Sequence, residues 1–172
     1  MRHLKRFNED MDNHEQLFKD ELKDFCETNL AYLLDEELEV RVLFGAVGYR
    51  LLIELNQNPQ LWSDIKDHMI PFLTRLSNQY ELRSFPINNR KNVTIEVTRD
   101  LEAARQNWPH RKTSVFYEVP RLINDDTKSG LTYDRGTDDI LESYITEFEF
   151  LIDGYKKEPK KGVLSKIKSF FK

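Results

Sequence analysis

Cysteine is almost absent from this sequence: Cys26 is the single one among 172 residues, which excludes an intramolecular disulfide. Such low cysteine usage favours a reducing compartment. Long apolar runs are absent too, since none approaches the ~20 residues that a membrane-spanning helix requires. The basic residues near the N-terminus are followed by no apolar stretch. The sequence therefore predicts neither a secretory signal peptide nor a transmembrane segment.

Patterns that carry catalytic or metal chemistry are equally scarce. A Gly-Ala-Val-Gly turn at 45–48 is followed by Tyr-Arg, where a phosphate-binding loop needs Lys and Ser or Thr. The acidic segment 124–139 lacks the alternating Asp spacing of a calcium loop. Cys26 falls on an apolar helical stripe, where a small buried side chain is expected rather than a nucleophile. We expect no metal ion, no cofactor and no small-molecule substrate, although an enzyme without a recognisable motif stays an alternative.

Apolar residues are present in sufficient number for a core. Hydrophobic residues make up 39% of the chain and aromatic residues 12%, with 11 Phe and 7 Tyr. A chain of this length and composition is typical of one folded domain with appendages. We predict an N-terminal arm at 1–12, a single domain at 13–156, and a basic linker with an amphipathic tail at 157–172.

Apolar side chains recur at helical spacing in three segments, which begin near His14, near Asn58 and near Thr137. In the second segment Asn58 is the expected N-cap and Pro59 the first helical residue, and Pro71 predicts a kink or break. The stripe of the third predicted helix comprises Leu141, Tyr144, Ile145, Phe148, Leu151, Ile152 and Tyr155.

Period-two alternation predicts strands between these helices. A β-hairpin is expected over 38–55, a second pair of strands around a turn at 88–91, and a further strand over 113–119, with a short helix over 100–108 between the last two. Because the hairpins are local, we predict an α+β fold with a mostly antiparallel sheet and helices on one face.

Charge alternates in blocks along the chain. Residues 1–82 carry a net charge of −7, residues 83–121 of +4, residues 122–155 of −7 and residues 156–172 of +6. The central basic block interleaves cations with aromatic residues, a combination that suits phosphates and stacked bases. The candidate nucleic-acid-binding residues are Arg90, Lys91, Trp108, Arg111 and Lys112.

The basic tail has an apolar stripe of its own. On a helix, Val163, Leu164, Ile167, Phe170 and Phe171 would share one face, and Lys166 and Lys168 would lie elsewhere. A helix this short is marginal in water, so the stripe predicts a surface to fold against. The candidates are the acidic body of the protein, a groove on a protein partner, and an anionic membrane surface. We take these seven residues as the candidate partner-binding set.

Three stretches together resemble small uncharacterised proteins of tailed bacteriophages. They are "MRHLKRFNED", "ELKDFCETNLAYLLDEELEVRV" and "LWSDIKDHMIPFLTRLSNQYEL", in the first half of the chain. The resemblance implies a bacterial host cytoplasm or a virion as the location, and a binding role in particle assembly or host takeover. It brings no activity that could be assigned to particular residues.

The sequence leads to two expectations about function. The first is a non-enzymatic phage protein that acts through contacts with a protein partner or with itself, with the tail helix as the docking element. The alternative is a nucleic-acid-binding accessory protein that uses the basic block at 83–121.

Overall fold

A computed structural model gives the structure of the protein. It describes residues 2–34, 38–45, 48–55, 58–85, 92–106, 108–133 and 137–156. The predicted tail helix and the linker before it lie outside the described residues.

The described part of the chain contains helices and strands in mixed order. The helices are α1 (Arg2–Asn29), α2 (Ala31–Leu34), α3 (Trp62–Gln79), α4 (Leu101–Arg105) and α5 (Val119–Ile123). The strands are β1 (Glu39–Gly45), β2 (Gly48–Glu54), β3 (Gln60–Leu61), β4 (Tyr80–Arg83), β5 (Val93–Thr98), β6 (Thr113–Tyr117), β7 (Gly130–Leu131), β8 (Thr137–Asp138) and β9 (Tyr144–Lys156).

All nine described strands belong to one antiparallel sheet. Its order is β1-β2-β9-β5-β6-β7-β8, and β3 and β4 also pair with β9. The prediction of an α+β fold with a mostly antiparallel sheet is confirmed. The first hairpin is confirmed as well, because β1 and β2 pair from Glu39–Glu54 to Gly45–Gly48.

The predicted third helix is wrong, since that segment forms β8, a 3-10 turn at Ile140–Glu142 and the central strand β9. The sequence of β9 fits both the strand and the helical period. Phe148, Phe150 and Ile152 alternate with polar or less buried residues as in a strand, while Phe148, Leu151 and Ile152 recur at helical spacing. The neighbours decide the outcome, because β2 and β5 pair with the two sides of β9 and leave a strand as its only compatible conformation.

The predicted pairing of the two strands around the turn at 88–91 is also wrong. Both β4 and β5 are present, but each pairs with β9 rather than with the other. The second local antiparallel pair is formed by β5 and β6, with α4 between them. The predicted short helix is confirmed as α4, and the Asp100 carboxylate caps it by accepting from the N–H groups of Glu102 and Ala103.

Helix boundaries differ from the predicted ones at two places. The first helix begins at Arg2, within the segment expected to be an arm. The second predicted helix begins at Trp62 rather than at Pro59, because the preceding residues form β3 against β9. This helix, α3, continues through Pro71 to Gln79, so the expected break is absent.

The core lies between one face of the sheet and helices α1 and α3. Leu22 and Cys26 of α1, Phe72 of α3, and Ile53 and Phe148 of the sheet belong to one buried cluster. No helix in the described ranges is long and apolar enough to cross a membrane. The opposite face of the sheet carries mostly polar side chains, and the outer edge of the sheet is strand β1.

Candidate functional site

Two exposed apolar side chains lie at the open edge of the sheet. Leu43 and Phe44 of β1 are 44% and 53% exposed, and we name this pair the edge patch. Among the described residues, β1 has a strand neighbour only on its β2 side. An edge strand with exposed apolar side chains is able to accept a segment of another chain. The edge patch is therefore a candidate contact surface.

A groove of about 450 Å³ runs beside the edge patch, between α1 and β1. Its helical wall consists of residues one turn apart, and its strand wall is most of β1. The lining residues are Gln16, Lys19, Asp20, Lys23, Glu39, Val40, Arg41, Val42 and Leu43. An open strand edge next to a helix flank is the arrangement that accepts an added strand or an amphipathic segment.

Aromatic contacts hold α1 against this end of the sheet. The ring centroids of Phe18 and Tyr49 are 4.3 Å apart, and those of Phe44 and Tyr49 are 5.0 Å apart. The Lys19 ammonium lies 6.0 Å from the centroid of the Phe44 ring. Phe44 is thus supported on its inner side and exposed on its outer side. Leu17, next to Phe18 on α1, is 65% exposed and adds a further apolar side chain in this region.

The cations of the groove have local partners. Lys19 is 2.5 Å from Glu15 and Lys23 is 3.6 Å from Glu27, both within α1. Arg41 of β1 donates to Glu54 of β2. The two ion pairs within α1 are at least partly exposed and contribute little stability, about 0–1 kcal/mol each, so an incoming charged chain can exchange with them. The groove is polar along its walls and apolar at the edge patch.

The polar face of the sheet carries a row of glutamates. The strand register places four of them side by side across β1, β2, β9 and β5: Glu39, Glu54, Glu147 and Glu96. Cations compensate part of this charge, because Lys112 lies 3.3 Å from Glu96 and Arg50 lies 2.6 Å from Glu149 in the next row. Burial raises the pKa of the Glu147 carboxyl, and the neighbouring Glu96 and Glu149 raise it further.

Replacement of Glu147 by glutamine is expected to stabilise the protein at neutral pH by about 1 kcal/mol, the usual size of a single-substitution effect. Because the folded-state pKa is raised, the stability that protonated Glu147 contributes is present below its unfolded pKa. It is lost as the pH rises through the folded pKa. The gain in the free energy of unfolding that Glu147→Gln brings should therefore be largest at neutral pH and decrease on acidification. Urea unfolding from acid to neutral pH measures it.

The matched control is Glu142→Gln, which changes an exposed glutamate on the 3-10 turn before β9. This control should leave the free energy of unfolding unchanged over the same pH range. A Glu147→Gln protein that is less stable than the wild type at neutral pH would contradict the electrostatic interpretation of the glutamate row.

The structure brings part of the basic block together. The Arg111 guanidinium lies 5.9 Å from the Trp108 ring, which is 39% exposed, and it is 3.1 Å from the Asp100 carboxylate. The Lys112 side chain is only 6% exposed and points to Glu96. Arg111 and Lys112 thus each have a carboxylate partner, which reduces the positive potential that a long polyanion would meet.

The remaining sequence-predicted residues lie outside the described residues. They are Arg90 and Lys91 of the basic block, and Val163, Leu164, Lys166, Ile167, Lys168, Phe170 and Phe171 of the tail. The strand β9 that precedes the tail is described to its end at Lys156.

Other titratable groups have structural partners rather than a catalytic arrangement. Cys26 is fully buried in the core, and this burial strongly raises the pKa of its thiol. Asp125, in the acidic segment 124–139, accepts hydrogen bonds from Lys66 and Trp62, which lower the pKa of its carboxyl. Within the described ranges, no group of three or more His, Cys, Asp or Glu could hold a metal ion.

Sequence reasoning missed the edge patch, although a local signal was available. Alternation in β1 places Val40, Val42 and Phe44 on one face and Glu39 and Arg41 on the other. The next residue on the charged face is Leu43, so the alternation of apolar and polar residues stops there. Two consecutive apolar residues at the end of a strand place one of them away from the core.

Comparison with known proteins identified no relative. No protein-family model, no curated protein and no solved structure matches this chain.

Proposed function

We propose that this chain is a non-enzymatic protein that acts through protein–protein contacts and associates with a second copy of itself. The edge patch is the receptor surface, and residues 157–172 are the docking element. The observation that carries the proposal is the exposure of Leu43 and Phe44 on the open strand β1, beside a groove. Exposed apolar pairs at a sheet edge are a liability unless another surface covers them.

The position of the C-terminal end of β9 supports this pairing of surfaces. In the register of the sheet, Ile152 of β9 lies opposite Tyr49 of β2, and Tyr49 lies opposite Phe44 of β1. Strand β9 continues past Ile152 and ends at Lys156, so residues 157–172 follow the end of the sheet that carries the edge patch.

The apolar residues of the tail complement the edge patch. Its lysines can meet Asp20 and Glu39 of the groove, whose lining also holds Lys19, Lys23 and Arg41. Reciprocal exchange of two tails would cover both edge patches in a closed twofold dimer. The setting that we propose is the one the phage resemblance implies: assembly in a virion, or contact with host proteins in the bacterial cytoplasm.

Sedimentation velocity of the full chain over a range of concentrations tests the proposal. We expect a reversible dimer, and we expect Phe44→Glu or Phe170→Glu to weaken it at least about tenfold, because each would place an unpaired charge in an apolar contact. Leu141→Glu is the matched control, since Leu141 is 43% exposed but precedes the opposite end of β9. Circular dichroism establishes that each variant is folded.

A mixture of the two variants separates tail exchange from other contacts. In the mixture, the intact tail of the Phe44→Glu protein can bind the intact edge patch of the Phe170→Glu protein. We therefore expect mixed dimers, although neither variant dimerises alone. A monomer at all concentrations, with a lower melting temperature for Phe170→Glu, would show that the tail packs on its own domain and would refute the proposal. If mixing the two variants does not restore dimers, the exchange of tails is refuted.

A further inference from the structure

A pocket of about 330 Å³ lies at the end of the sheet opposite to the exit of the tail. Three neighbouring strands end or begin there: the register pairs Val97 of β5 with Thr113 of β6, and Thr98 of β5 with Tyr144 of β9. The pocket is lined by Val97, Thr98, Arg99, Arg111, Thr113 and Ser143. We name it the arginine pocket.

The lining of the arginine pocket suits an oxyanion. Two arginines and three hydroxyl-bearing residues line it, and the described lining residues include no Asp or Glu. Guanidinium groups bind phosphate and carboxylate oxygens in a bidentate manner, with charge-assisted hydrogen bonds. Thr98 and Ser143 are 4% and 2% exposed, so these two residues form the buried side of the pocket. Its volume lies in the range of small-molecule sites.

Asp100 orients one of the two arginines. Its Oδ2 atom lies 3.1 Å from Nη1 of Arg111, while its Oδ1 atom caps α4. The carboxylate is therefore held in place, and it limits the directions that the Arg111 side chain can take. It also offsets the positive charge of Arg111.

An aromatic surface lies next to the arginine pocket. The Trp108 ring is 5.9 Å from the Arg111 guanidinium carbon, and it is stacked on His110 with 6.1 Å between centroids and 16° between planes. Trp108 is 39% exposed. Aromatic side chains of this kind stack on nucleobases, and the contact tolerates every base because each has a π face.

We propose that the arginine pocket binds the phosphate group of a nucleotide, with the base stacked on Trp108. Arg99 and Arg111 bind the phosphate oxygens, and the hydroxyl groups of Thr98 and Ser143 complete the oxyanion site. The same chemistry is available from a free mononucleotide and from the 5′-terminal nucleotide of a strand. This ligand site is independent of the edge patch, because the two lie at opposite ends of the sheet.

Isothermal titration calorimetry on the full chain tests this assignment. The ligands are inorganic phosphate, adenosine monophosphate, and a short oligothymidylate with and without a 5′-phosphate. We expect a ligand that carries both a base and a terminal phosphate to bind more tightly than inorganic phosphate. The double variant Arg99→Gln/Arg111→Gln should weaken binding at least about tenfold, the effect of losing charge-assisted hydrogen bonds.

Two further variants test whether binding depends on Trp108 and on the arginines of the pocket. Trp108→Ala should remove the advantage of a base over inorganic phosphate and leave phosphate binding unchanged. Arg121→Gln is the control, because Arg121 is exposed and paired with Glu118 and Asp126 away from the pocket. This control should bind as the wild type does.

The comparison of these ligands distinguishes a free nucleotide from the end of a strand as the source of the phosphate. Binding of adenosine monophosphate alone supports a free nucleotide, and binding of the oligonucleotide only when it is 5′-phosphorylated supports a strand end. Absence of binding by every ligand at millimolar concentration would overturn the proposal. Equal binding by the wild type and the double arginine variant would overturn it as well.

Discussion

Replacement of Phe150 by alanine is expected to lower the free energy of unfolding by about 3–5 kcal/mol, the cost of removing a large buried aromatic side chain. Phe150 is fully buried, and its ring centroid is 6.3 Å from that of Phe72 on α3. The register places it between Leu51 of β2 and Val93 of β5, at the centre of the sheet. This loss is a large fraction of the total stability of a domain, which is about 5–15 kcal/mol.

The same substitution discriminates between the two conformations that the sequence of β9 allows. In the helical interpretation the stripe contains Phe148, Leu151 and Ile152 but not Phe150, so Phe150→Ala would be nearly neutral. In the strand, Phe150 points into the core together with Phe148 and Ile152. Urea unfolding measures the difference. Leu141→Ala is the control at an exposed position away from the edge patch and should cost less than about 1 kcal/mol. Equal losses for both variants would contradict the placement of β9.

Replacement of Gly48 by alanine is the second substitution with a large expected effect. Gly48 has a φ of 105°, a conformation that L residues rarely adopt, and this strain alone costs about 1–3 kcal/mol. A Cβ atom at this position would also lie 2.7 Å from the Ile152 carbonyl oxygen. The backbone of β2 or β9 would have to move to relieve that contact, which adds to the loss of stability.

Gly45, at the other end of the same turn, is the matched control for Gly48. A Cβ atom there meets nothing within 4 Å. Gly45→Ala should therefore change the free energy of unfolding by no more than about 0.5 kcal/mol, the usual range for substitutions away from the core. Thermal unfolding of the two variants side by side measures both effects. If the Gly48→Ala protein were as stable as the Gly45→Ala protein, the backbone at Gly48 would be able to accommodate a side chain, which would contradict this prediction.

The candidate surfaces were predictable from the sequence to different extents. Trp108, Arg111 and Lys112 are close in the chain, so their proximity was evident, but the carboxylates of Asp100 and Glu96 that pair with the two cations were not. The arginine pocket joins Arg99 and Arg111 with Ser143, which is more than 30 residues away in the chain. Only the pairing of β5 with β9 brings Ser143 to the pocket.

By itself, the sequence determined the α+β class, the β1–β2 hairpin, the short helix α4 and the stripe of α3, because each depends on residues within one turn or one strand. The tertiary structure decided the conformation of β9 and the pairing of β4 and β5. The apolar pattern of β9 satisfies helical and strand periodicity alike, and only hydrogen bonds to β2 on one side and β5 on the other favour the strand. Long-range pairing also made β1 the edge of the sheet, which is the reason Leu43 and Phe44 are exposed.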